Sequence, residues 1–157
     1  MSMIGLLVPI APLELQRLKR APSSISEHFD RPDVTNLQKM WQALHFLLSG
    51  RAWDGSPPLG NAVLGGAPIG PDRGYGPARY LTPDEVQAVD AALQKMSHAE
   101  LRRRFQPSAL ANNDIYPMVW DEPEEDLFDE LRHYFDRLVA CYGEAARNGN
   151  AMLLCLT

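Results

Sequence analysis

Two apolar runs sit near the two ends of the chain. Met3–Val8 is almost continuously apolar and is closed by Pro9, and Ala151–Leu156 follows the helix-stopping triplet Asn148-Gly149-Asn150. Each run is too short for a typical helix and too uniformly apolar for a strand with one wet face. Both are predicted to be buried strands, and neighbours in one sheet, because an uncovered strand of that kind would recruit other chains.

Between them the spacing is mainly helical. Pro12 to about Arg20 reads as a short helix with proline in its first turn. Ala21–Asp33 is polar and reads as a connection. Thr35 and Gln38 have the spacing of a capping box. Behind them Leu37, Met40, Trp41, Leu44, Leu47 and Leu48 form an apolar stripe, and Gly50 ends it. Thr82-Pro83-Asp84-Glu85 is a second box, followed by Val86, Val89, Leu93 and Met96 at helical spacing. Ser97-His98-Ala99-Glu100 is a third, opening a short helix through Phe105. Pro107 starts another, ending near Asn112-Asn113, and Ile115–Trp120 is an extended or turn segment broken by Pro117. Pro123 opens the longest helix, with Leu127, Phe128, Leu131, Tyr134, Phe135, Leu138, Val139 and Tyr142 on one face. The pattern predicts one α+β domain over residues 1–157, mostly helical, with a small sheet holding both terminal strands.

The stretch 50–81 departs from this regularity. It holds eight of the eleven glycines and five of the thirteen prolines. It reads as a long loop, with a short helix around Asn61–Leu64 and a short strand at Ala78–Leu81. A connection that long is more often functional than a simple link.

Composition narrows the function classes. At 157 residues with 45% apolar and 22% charged positions, the chain has enough material for a core without metal or disulfide. A net charge of −5 argues against broad nucleic-acid binding, which needs a basic field. No run reaches the roughly 20 apolar residues that span a bilayer. The first ten residues lack the basic flank and cleavage signal of a secretory leader. Cys141 and Cys155 are too few for a disulfide framework and read as reduced core residues, which points to the cytoplasm.

Candidate chemistry is sparse. Sequence patterns for zinc proteases, paired-cysteine metal sites, nucleotide phosphate loops and serine hydrolases are absent. Gly74-Tyr75-Gly76 precedes a proline and reads as a turn. His28, His98 and His133 stand in polar surroundings with no partner at metal-ligand spacing, so no metal, cofactor or catalytic residue is assigned. His45 lies one turn after Trp41 at the edge of an apolar face. It is either a half-buried histidine with one nitrogen satisfied or a pocket residue able to exchange a proton. Arg102-Arg103-Arg104 reads as a solvated helix face, the alternative being a grip on phosphate or a carboxylate partner. Asp121–Glu130 carries seven acids, more than a helix start needs, and leaves room for a basic partner. Tyr75 through Pro83 combines tyrosines with Arg79 beside stiff backbone, which is either a recognition surface or a loop pinned to the core.

The order of Met3-Ile4-Gly5, Trp41-x-x-Leu44-His45-x-Leu47-Leu48, Gly74 through Pro83, Ile115-Tyr116-Pro117 and Gly149-Asn150-Ala151-Met152-Leu153 resembles the YfbM-like family (DUF1877), a bacterial domain of unknown function. The resemblance runs nearly end to end. It implies a single α+β domain and carries no catalytic residues to transfer.

Two classes of function follow. The first is a non-catalytic binding protein with a protein partner, a regulator or an immunity-type protein. The second is a binder of a small anionic ligand, or an enzyme, with a pocket formed by Trp41, His45, Tyr75, Arg79, Tyr80 and Tyr116. Arg79 is expected to be the polar anchor where Gly74–Leu81 meets the helix bearing His45. The alternative for Arg79 is an internal salt bridge, for example to an acid between 121 and 130.

Overall fold

The structure, a computed structural model, describes residues 2–157. The apolar run near the N-terminus forms β1 (Gly5–Ile10), followed by α1 (Pro12–Arg20), α2 (Ile25–His28), β2 (Thr35–Asn36) and α3 (Trp41–Ser49). A hairpin of β3 (Ala67–Asp72) and β4 (Pro77–Leu81) precedes α4 (Pro83–Gln94), α5 (His98–Arg104), α6 (Pro107–Asn112) and α7 (Glu124–Arg147). The last strand is β5 (Ala151–Leu156). The five strands form one antiparallel sheet in the order β2-β1-β5-β4-β3.

The two apolar runs are paired over six residues, from Gly5 opposite Leu156 to Ile10 opposite Ala151. β1 continues through Pro9, where the sequence suggests a stop. Ile4 and Thr157 exchange both backbone hydrogen bonds. Every second residue from Ile4 therefore bonds toward β5, and the nitrogen of Pro9 points the other way. On that side β2 reaches only Leu6 and Leu7. The missing N–H of Pro9 therefore removes no ladder bond.

All six residues of β5 are buried. The two-residue period of a strand divides them between two cores. Met152, Leu154 and Leu156 join a large core with α3, α4 and α7. Ala151, Leu153 and Cys155 join a smaller one beneath α1 and α2. Cys141 and Cys155 are both buried free thiols.

Several sequence expectations need correction. Thr35 and Gln38 form no capping box. Thr35 and Asn36 pair with β1, and the Asn36 side chain takes the Gln38 N–H at 2.7 Å. That turn places Gln38 at φ +50, and α3 starts only at Trp41 after a 3-10 turn. The apolar stripe still holds, since Leu37, Met40, Trp41, Leu44, Leu47 and Leu48 are all buried. Ala21–Asp33 is not a plain connection, because Ile25 and Phe29, one helical turn apart, anchor a 3-10 turn and α2 to the smaller core.

The stretch 50–81 is likewise more structured than a loop. It holds a 3-10 turn at Leu59–Asn61, in place of a helix at 61–64, and then the β3–β4 hairpin. β3 hides from a sequence reading because Pro68, Gly70 and Pro71 interrupt it. It tolerates them as an edge strand with one buried residue, Ile69. The Thr82 box forms with both its bonds. At Ser97 only half forms: Ser97 takes the Glu100 N–H, while the Glu100 carboxylate turns to Arg103 and Arg104.

Trp41 locks α3 to β1. Its indole N–H donates to the Met3 carbonyl at 3.1 Å, and its ring lies over Gly5. A Cβ at Gly5 would stand 2.6 Å from the Trp41 Cβ. Gly5→Ala is therefore expected to lose roughly 1–3 kcal/mol in urea unfolding, as overpacking does. Trp41→Ala is expected to lose about 3–5 kcal/mol. In a Trp41→Gly background, which removes that Cβ, the Gly5→Ala penalty should vanish, so equal penalties in both backgrounds would refute the contact.

Candidate functional site

The hairpin positions the first part of the site. Arg73 N–H donates to Gly76 O at 2.9 Å across its tip, and Gly74 and Gly76 both have positive φ. Those two glycines allow the tight reversal that presents Tyr75 outward. Within β4 the strand period decides the rest. Arg79 is paired with Leu154 and lies on the large-core face, while Tyr80, paired with Leu153, lies on the opposite one. Tyr80 packs there under Lys19, whose amino group sits 4.6 Å from the ring centroid. The structure thus removes Tyr80 from the predicted pocket.

Arg79 is partly buried and holds the preceding turn. Its Nη1 donates to Val63 O at 3.2 Å and to Gly65 O at 2.9 Å. No carboxylate pairs with it among the described residues. The alternative reading for it, a salt bridge to the acids at 121–130, does not hold. Of those acids, Glu124 and Glu125 pair with Arg102 instead. Burial pulls the Arg79 pKa below the ordinary arginine value, and it is raised only by weaker influences from Tyr142 and Cys155. At neutral pH the group remains a cation.

His45 is fully buried, not half-buried at an edge. Its Nε2 lies 2.9 Å from the Asp54 carbonyl. A carbonyl only accepts, so Nε2 carries the proton and Nδ1 is a bare lone pair, without a partner. Burial lowers the His45 pKa, and the nearby Arg79 charge lowers it further against the opposing Asp54. One turn earlier, Gln42 Nε2 donates to Ala52 O at 3.0 Å, and its Oε1 accepts the Tyr116 N–H at 2.9 Å. Gln42 and His45 thus grip the backbone on either side of Trp53. That residue is 60% exposed, with its ring centroid 5.8 Å from that of Trp41.

These pieces enclose a cavity of about 200 Å³ lined by Trp53, Leu64, Tyr75, Pro77, Arg79 and Leu156. Of the six residues predicted from sequence, Tyr75 and Arg79 line it. Trp41 backs Trp53 from the core, and His45 holds the loop behind it. Tyr116 stands apart: it stacks on Trp41 at 5.9 Å, and its hydroxyl accepts the Met3 N–H. Sequence reasoning missed Trp53, Leu64 and Leu156. Trp53 had one readable signal, a tryptophan isolated in a Gly/Pro-rich stretch.

Other features resolve into structure. Arg104 donates to the carbonyls of Leu47 and Leu48 at the end of α3, besides pairing with Glu100. An open groove of about 740 Å³ between α4, α5 and the Pro58–Leu59 turn is lined by alanines of α4 and by Lys95, Met96 and Ser97, with Glu100 and Arg104 already paired along it. Among the described residues no three of His, Cys, Asp and Glu gather as metal ligands, and no helix is long and apolar enough to cross a membrane.

The comparisons agree with this fold. A family model described as "Domain of unknown function (DUF1877)" matches residues 1–155. The crystal structure of a protein of unknown function, YfbM from Escherichia coli, is similar at 27% identity with a TM-score of 0.79. The alignment covers 98% of this chain and 99% of that one. No curated protein matches.

The neutral His45 has a consequence for pH dependence. In the unfolded chain it takes a proton near its ordinary value of about 6.5, whereas in the fold it resists. Stability is expected to be full above that pH and to fall as pH drops below it, by at most about 1.4 kcal/mol per unit. In His45→Gln that part of the slope should disappear from urea unfolding between pH 7 and 5. An unchanged slope would contradict the assignment.

Proposed function

The chain belongs to the DUF1877 family, and from that premise we propose that it is a non-catalytic binding protein whose contact surface centres on Trp53, Tyr75 and Arg79. The observation that carries this reading is a partly buried guanidinium with no carboxylate partner, beneath two exposed aromatic rings. Trp, Tyr and Arg are the residue types that concentrate binding energy at protein interfaces. The aromatic rings lose little side-chain entropy on contact, and the backbone beneath Trp53 is held by Gln42 and His45. A regulator or an immunity-type protein of the bacterial cytoplasm would use such a surface. The two reduced thiols support that compartment.

Support for a non-catalytic role comes from His45. Its one proton is committed to a carbonyl, and it does not line the cavity. The alternative, a pocket for a small ligand near His45 and Arg79, is favoured by the concavity itself. Its volume of about 200 Å³ is below the roughly 300–1,000 Å³ of typical ligand sites. One inserted side chain fits it better than a cofactor-sized molecule.

The test is capture from a lysate of the native host with the wild-type chain and with Trp53→Ala/Tyr75→Ala, followed by mass spectrometry. A partner held by the wild type and lost by the double variant is expected. Both side chains are exposed, so the variant should stay folded. Equal recovery with both proteins contradicts the reading, and a small mass retained in native mass spectrometry of the wild type favours the alternative.

A further inference from the structure

We infer that the Arg79 cavity is a receptor for a single carboxylate group on a small apolar body. This rests on the reading of the site as a binding surface and names what that surface recognises.

The argument starts from the guanidinium. Both hydrogen bonds that fix it come from Nη1. Nε and Nη2 have no partner among the described residues, and neither is sealed from solvent, unlike Nε of Arg73. Nε–H and Nη2–H project in parallel from one edge of the planar group. That edge matches the two oxygens of a carboxylate. Because Val63 and Gly65 hold the other side, the edge is fixed before anything binds, which lowers the entropy lost on binding.

The walls select among anions. Leu64, Pro77 and Leu156 are apolar, and the exposed residues Trp53 and Tyr75 line the same space. Arg79 is the only charged residue in the lining. A monoanion is neutralised there, whereas a phosphate dianion would bring a second charge with no second cation in the lining to balance it. At about 200 Å³ the space admits a carboxylate and a few carbons. A short free acid, an acidic side chain and a polypeptide C-terminus all present that chemistry.

The test follows the Arg79 Nε–H signal by nitrogen-15 NMR, assigned by its loss in Arg79→Met. Sodium butyrate, butyramide and inorganic phosphate are titrated at constant ionic strength. N-acetyl-glutamate α-amide, which offers only the side-chain acid, and N-acetyl-alanine, which offers only the terminal acid, are titrated alongside. A saturable shift with at least one carboxylate, none with butyramide, and at least about tenfold weaker binding of phosphate are expected, since charged hydrogen bonds differ by that order. The tightest of the three acids identifies the source. Trp53→Ala, which leaves Arg79 in place, should weaken the shift severalfold. The inference is overturned if no carboxylate moves the signal up to about 50 mM, a range that detects fragment-sized ligands. It is equally overturned if butyramide or phosphate binds as well as the tightest of the three acids. If carboxylates fail while Trp53→Ala/Tyr75→Ala still loses a captured partner, only this inference falls and the binding reading stands.

Discussion

Burial of β5 on both faces is the constraint from which the rest of the architecture follows. A strand with six buried residues needs a strand on each side and a layer above and below. β1 and β4 supply the flanks, the large core of α3, α4 and α7 covers one face, and α1 with α2 covers the other. The alternation of β5 then propagates across the sheet. Once Leu154 points to the large core, its neighbour Arg79 must point there too, and Tyr80 must point away. A cation on the core side of a central sheet is therefore a consequence of register.

That position sets two effects against each other. Desolvating a guanidinium without an ion-pair partner costs several kcal/mol. Two carbonyl hydrogen bonds, at roughly 1.5–3 kcal/mol each for a charged donor, offset a comparable amount. The charge therefore contributes little net stability where it stands. Three independent devices shape the space around it. The Gly74 and Gly76 turn aims Tyr75, Gln42 and His45 grip the chain beside Trp53, and Trp41 supports Trp53 from the core. His45 belongs to this scaffold as a positioning residue.

Much of this was legible in the chain because it rests on periodicity. The terminal strands, the apolar faces of α3, α4 and α7, and the Thr82 cap all follow from spacing that tertiary contacts reinforce. The errors arose where a local signal competed with a distant one. Thr35 and Gln38 have the letters of a cap, but pairing with β1 claims Thr35 first. Prolines conceal β3 because their penalty depends on whether a strand lies at an edge, which sequence does not state. The choice of Arg79 as a candidate anchor rests only on its neighbours in sequence. The inclusion of Tyr80 contradicted the strand suggested at 78–81, since adjacent residues of a strand cannot share a face. Trp53 is not legible as a site residue because its support comes from side chains on α3 and not from its own segment.

The central claim is that Arg79 is held on the core side of the sheet as an unpaired cation, for recognition and not for stability. Urea unfolding of Arg79→Met tests it most directly, because methionine keeps the length of the side chain and removes the charge. The account predicts stability within about 1 kcal/mol of the wild type or above it, since removal of a partly desolvated charge offsets the two lost hydrogen bonds. A loss of about 3–5 kcal/mol, the signature of a broken buried ion pair, would contradict it.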